Sequence, residues 1–146
     1  MFWKKKSKAD QVSSFVGSHV KSWSMAAAMD GLLSGGSPAD GPAKIASAEF
    51  DRLILNATIY GAADSFGQSI GASDSETAEG IKKHLAPYSD ANDVYEQIII
   101  CGNMPELAEA VTYAGQCVYE IRARQADPTQ QYLQLFKKLR ERFTSR

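Results

Sequence analysis

Two histidines and two cysteines are the residues of this chain best suited to metal binding or nucleophilic chemistry, and their spacing argues against both. His19 and His84 lie far apart, and neither is three or four residues from a cysteine. A structural zinc site needs about four ligands, paired at short spacing, and no such pairing occurs. His84, in Lys82-Lys83-His84-Leu85, reads as a histidine near a helix end, where the protonated ring complements the dipole. Cys101 and Cys117 each sit in an apolar stretch, Ile-Ile-Ile-Cys and Gly-Gln-Cys-Val-Tyr. Free cysteine is among the most buried residue types, so two reduced, unbridged and slowly reacting core thiols are expected.

Carboxylates are dense between positions 74 and 109: Asp74, Glu76, Glu79, Asp90, Asp93, Glu96, Glu106 and Glu109. Acids three residues apart can hold a divalent ion or act as acid and base. Most of these, however, fall in expected first helical turns, where a negative charge complements the positive dipole end. What remains is an acidic surface able to dock a basic partner. There is no calcium loop, P-loop or G-x-G-x-x-G pattern. Gly61, Gly67 and Gly71 have the wrong spacing for a phosphate cradle, and no Lys-Ser or Lys-Thr follows them. The reading is therefore a non-enzyme, with no catalytic residue, cofactor or metal ligand assigned.

The basic residues are more informative. A net charge of -1 conceals +4 in residues 1–8, +4 in residues 137–146 and -9 in between. The head joins Phe2 and Trp3 to Lys4, Lys5 and Lys6. Tryptophan favours the headgroup region of a bilayer, and a lysine near anionic lipid contributes about 1 kcal/mol. The candidate docking set is Phe2, Trp3, Lys4, Lys5, Lys6, Lys137, Lys138, Arg140 and Arg142, facing a protein partner or weakly contacting an anionic membrane. Domain ends often lie close together, and the two basic ends would then form one patch. Nucleic acid is not the expected partner: no recognition motif accompanies the cations, and the body is acidic.

These residues must be carried by helices. Pro and Gly clusters cut the chain into segments of helical length, with apolar residues at three- and four-residue spacing. Residues 1–8 read as a basic, aromatic head, and 9–146 as one all-α domain of about six helices in an orthogonal or irregular bundle. The first helix spans about 9–33, and the Gly/Ser/Pro-rich stretch 34–42 is a loop. The second starts near Pro42, and Gly61-Ala62-Ala63 either continues it or breaks it. Phe66, Gly67, Ile70 and Gly71 then lead into a loop. Ser73-Asp74-Ser75-Glu76 has the form of a capping box opening the third helix, which Pro87 stops. The fourth follows Ser89 and Asp90. Its β-branched run Ile98-Ile99-Ile100 leaves a strand as the rival, although no second strand pairs with it. An Asn103-x-x-Glu106 cap with Pro105 opens the fifth helix, and Asp127-Pro128 with Gln130 opens the sixth. Phe15, Trp23, Phe50, Leu53, Val111, Val118, Leu135 and Leu139 are the expected core.

No apolar run reaches the ~18 residues of a membrane span. No signal-like apolar region follows the first lysines. The expected location is cytoplasmic, at most peripheral at the inner membrane face. Two functional classes fit. The favoured one is a non-catalytic interaction protein: an adaptor, inhibitor or regulatory subunit. The other is a small-molecule- or lipid-binding bundle, with a cavity between the second and fifth helices at Gly61, Ala62, Ala63, Ala114 and Gly115. Self-association into a homo-oligomer is compatible with either.

Overall fold

Six α-helices and one 3-10 turn make up the described part of the computed structural model, residues 6–33 and 48–143. The helices are α1 (Lys8–Leu33), α2 (Ala48–Ser69), α3 (Asp74–Leu85), α4 (Ala91–Gly102), α5 (Ala108–Ala123) and α6 (Pro128–Phe143), with the 3-10 turn (Pro105–Leu107) before α5. There is no strand among the described residues, and Ile98-Ile99-Ile100 is helical. The start of the second helix near Pro42 lies outside the described residues. No helix among them is long and apolar enough to cross a membrane.

Side-chain contacts fix the directions of the helices. Phe15 stacks on Phe66 at 4.4 Å, and His19 meets Thr58, so α2 runs antiparallel to α1. Gly61 abuts Val111, and Arg122 reaches Ser69, so α5 runs parallel to α2. Tyr132 meets His19, Trp23 packs edge-on against Phe136 at 5.1 Å, and Arg140 pairs with Asp30. Helix α6 therefore runs parallel to α1.

Gly61 settles the question of where α2 ends. The helix continues through Phe66 to Ser69 because this glycine is used for close approach. A Cβ at position 61 would overlap the Val111 carbonyl. Ala62, Ala63 and Ala114 are buried beside it, and Ser65 donates to the Gly115 carbonyl at 2.9 Å. Small residues here bring two backbones together.

The capping box of α3 forms as its sequence dictates. Glu76 N–H donates to Ser73 Oγ at 3.1 Å, and Ser73 N–H donates to Glu76 Oε1 at 2.9 Å. The Ser73 N–H holds the Glu76 carboxyl below its ordinary pKa. Asp127 likewise caps α6, accepting from Gln130 N–H at 3.0 Å. The Asn103 cap fails. Its side-chain amide turns back to donate to the Ile99 carbonyl at 2.8 Å, closing α4, and a 3-10 turn separates it from α5.

Trp23, Val118, Leu135 and Leu139 are buried as expected. Phe15, Phe50, Leu53 and Val111 are only half-buried and pack against the core from its edge. Cys101 and Cys117 are buried and unbridged. Burial raises both thiols, Cys117 to about 12, which fits inert structural cysteines.

Candidate functional site

Two places combine unusual chemistry with defined geometry: a polar centre in the interior and a groove on the acidic side. The polar centre begins with His19. It lies on the α1 stripe Val12, Val16, Trp23, seven residues after Val12, and is 1% exposed. Thr58 Oγ1 spends its single proton on the Leu55 carbonyl at 2.7 Å, so it can only accept from the imidazole. His19 Nε2–H therefore donates to Thr58 Oγ1 at 3.0 Å, and the bare Nδ1 accepts the Tyr132 hydroxyl at 2.9 Å. One tautomer satisfies the whole chain Tyr132, His19, Thr58, Leu55. Burial lowers the His19 pKa to about 4 and raises that of Tyr132, so both stay neutral near pH 7. This centre ties α1, α2 and α6 together.

Asp30 lies farther along the same α1 stripe and is 0% exposed. Arg140 Nη2 approaches its Oδ1 at 3.2 Å, which makes an ion pair whose angle is too poor for a hydrogen bond. Both groups were legible as stripe positions: His19 follows Val16 by three, and Asp30 follows Trp23 by seven. What the sequence could not supply was their partners on α2 and α6.

The second place is a groove of about 240 Å³ where α2, α3 and α4 meet. Its apolar lining comes from Tyr60, Ala78, Ile81 and Ile99, and two aspartates, Asp64 and Asp74, join that lining. Gly102 makes this arrangement possible, because a Cβ there would overlap the Tyr60 ring. Asp74 stands in the first turn of α3, and Asp64 accepts from Gln68 Nε2 at 3.0 Å. Neither aspartate has an ion-pair partner among the described residues.

The groove opens onto a face of α3 and α4 rich in exposed acid. Asp93, Glu96 and Ile100 follow one another at helical spacing on α4, and all three are exposed. Of the two lysines of α3, one stays at the seam with α4 and the other reaches α1. Lys82 sits over the Tyr95 ring at 4.8 Å, and Lys83 pairs with Asp10 at 3.0 Å and Glu79 at 3.8 Å. That leaves Asp74, Asp90, Asp93 and Glu96 without an ion pair among the described residues. His84 is half-buried on the other side of α3, against Gly17, and burial lowers its pKa. No three His, Cys, Asp or Glu side chains converge as a metal site among the described residues.

The candidate docking cations are distributed differently. Phe2, Trp3, Lys4 and Lys5 lie outside the described residues. Lys6 donates to Ser14 Oγ at 3.2 Å. Arg142 holds Glu109 through two bonds of 2.5 and 2.6 Å, and Arg140 holds Asp30. Lys138 lies over the Tyr113 ring at 5.5 Å, and Lys137 is half-buried. Lys6 precedes the start of α1, and Arg140, on α6, sits beside Asp30 near the other end of α1. The helix rises about 1.5 Å per residue, so Lys8 and Asp30 are about 33 Å apart. Because α6 runs parallel to α1, Lys6 and Arg140 are separated along the length of α1.

A larger groove, about 420 Å³, lies between the C-terminal ends of α2 and α5, beside Ser69, Tyr119 and Arg122. Arg122 donates from Nε to Ser69 Oγ at 2.8 Å and stacks over Phe66 at 4.7 Å. Two negative dipole ends meet here, and the guanidinium is their counter-charge.

Comparison with protein-family models, curated proteins and solved structures finds no match for this chain.

Proposed function

We propose that this chain is a non-catalytic interaction domain, an adaptor, inhibitor or regulatory subunit, that engages a basic protein partner through the acidic face of α3 and α4. One observation carries the reading. Exposed carboxylates without ion pairs among the described residues, Asp74 and Asp90 at the starts of α3 and α4 and Asp93 and Glu96 along α4, stand close in sequence, and Asp93 and Glu96 share a helical face with exposed Ile100, 52% accessible. Other acids are held within the chain, Asp10 by Lys83, Asp30 by Arg140, Glu109 by Arg142 and Glu120 by Arg124. Complementary charge steers such an encounter, and exposed apolar side chains supply the area to bury.

The test is affinity purification from the native cell, with the chain as bait, beside a double variant Asp93→Lys and Glu96→Lys. A stoichiometric protein recovered by the parent and lost by the folded double variant supports the reading. A partner retained equally by both, or a bound small molecule with no protein in native mass spectrometry, overturns it.

A further inference from the structure

We infer that the groove between α2, α3 and α4 is an anchor site for a basic peptide segment, taking one large apolar side chain flanked by lysine or arginine. The inference rests on the interaction reading above and assigns it a place and a ligand chemistry.

The walls specify the occupant. Tyr60, Ala78, Ile81 and Ile99 offer an apolar lining, and a volume of about 240 Å³ suits a single aromatic or large aliphatic side chain. Asp64 and Asp74 come from different helices and both line the groove. They place negative charge where cationic residues next to an inserted side chain would stand. No basic residue among the described residues lines the groove, so these carboxylates can take a cation from a partner. An anionic or purely polar occupant fits neither the lining nor the charge. A free cation fits the charge but leaves the apolar lining wet.

Part of the lining is fixed by the packing of the helices. Ile81 is 3% exposed, and Tyr60 is fixed by the close approach of α4 at Gly102. A preformed site spares the cost of ordering its walls on binding. Its composition matches helix-bounded peptide sites in which an anchor residue fills an apolar pocket and charges at the rim set orientation.

The experiment is a methyl NMR titration of the full chain with the capped synthetic peptide Lys-Trp-Lys-Lys, alongside Lys-Ser-Lys-Lys and Glu-Trp-Glu-Glu. Binding should move the Ile81 and Ile99 methyl resonances saturably, because an inserted indole imposes a ring-current shift on them. The serine peptide should bind at least tenfold more weakly, and the acidic peptide should leave both methyls unmoved. The double variant Asp64→Asn and Asp74→Asn changes two exposed side chains, so the fold should persist, as its melting temperature will check. Its affinity for Lys-Trp-Lys-Lys should fall about tenfold, and the parent's affinity should weaken as salt rises. If the Ile81 and Ile99 methyls do not move, or if the serine peptide binds as well as the tryptophan one, the anchor site is wrong. If the protein partner recovered above binds Asp64→Asn/Asp74→Asn as tightly as the parent, the groove falls while the acidic-face reading stands. If that partner is lost only from the groove variant, the groove stands and the wider face falls.

Discussion

The seam between α2 and α5 and the seam between α1 and α6 hold the same bundle together by opposite means. At α2–α5 the contact is made of Gly61, Ala62, Ala63, Ala114 and Gly115, and the backbones nearly touch. At α1–α6 the contact is made of rings and polar groups: His19 on Tyr132, Trp23 on Phe136, Asp30 on Arg140. The first seam depends on shape along this stretch, with Arg122 bridging to Ser69 at its far end. The second depends on hydrogen-bond direction and on one neutral imidazole, so acid acts on it directly. One fold thus carries a seam sensitive to volume and a seam sensitive to protons.

Gly61→Val should break the comparison most severely. The new side chain would collide with a backbone carbonyl, which cannot step aside without moving α5. Overpacking of this kind costs up to about 3 kcal/mol in ordinary cores and more against backbone. Urea denaturation followed by circular dichroism should show the largest loss of any single substitution discussed here. A midpoint equal to the parent's would mean that the seam is loose.

Acid should act on the other seam with the next largest effect. The His19 pKa is about 4 in the fold against an ordinary 6.5. Between those values the unfolded chain binds a proton that the folded chain does not. The stability from this group is complete above about pH 6.5 and falls as pH drops toward 4, by about 3 kcal/mol in all. His19→Gln should flatten that slope. Denaturation curves at pH 7 and pH 4.5 for parent and variant check it, because other carboxylates contribute equally to both. A slope unchanged by His19→Gln would show that the imidazole titrates normally.

Ser65→Ala sharpens the comparison from its quiet side. The hydroxyl lost donates to a helical carbonyl at 2.9 Å in a seam that packing already holds. The expected cost is about 1 kcal/mol or less. A larger loss would show that the small-residue seam also leans on hydrogen bonds.

Much of this architecture was legible in the residues. The helix count, the capping box at Ser73 and Glu76 and the buried thiols follow from local spacing and composition. The helix nature of Ile98-Ile99-Ile100 followed from the lack of a pairing strand. Other features depended on contacts distant in sequence. Whether Gly61 ended α2 was decided by Val111, and Asn103 turned to close α4 because its amide found the Ile99 carbonyl. The basic ends illustrate the limit most clearly. Their charge was evident, but the parallel run of α6 along α1, which separates Lys6 from Arg140, is a tertiary fact. Both interior polar residues sat on the α1 stripe in plain view. The aspartates of the groove were visible only as members of an acidic stretch until α2 brought Asp64 beside Asp74.

The hydrogen-bond chain through His19 has one further consequence, in the time domain. The Tyr132 hydroxyl hydrogen points at Nδ1 inside the bundle, on a residue only 5% accessible. Solvent can replace it only when α6 lifts from α1 and α2. In deuterated water its disappearance is therefore a clock for that opening.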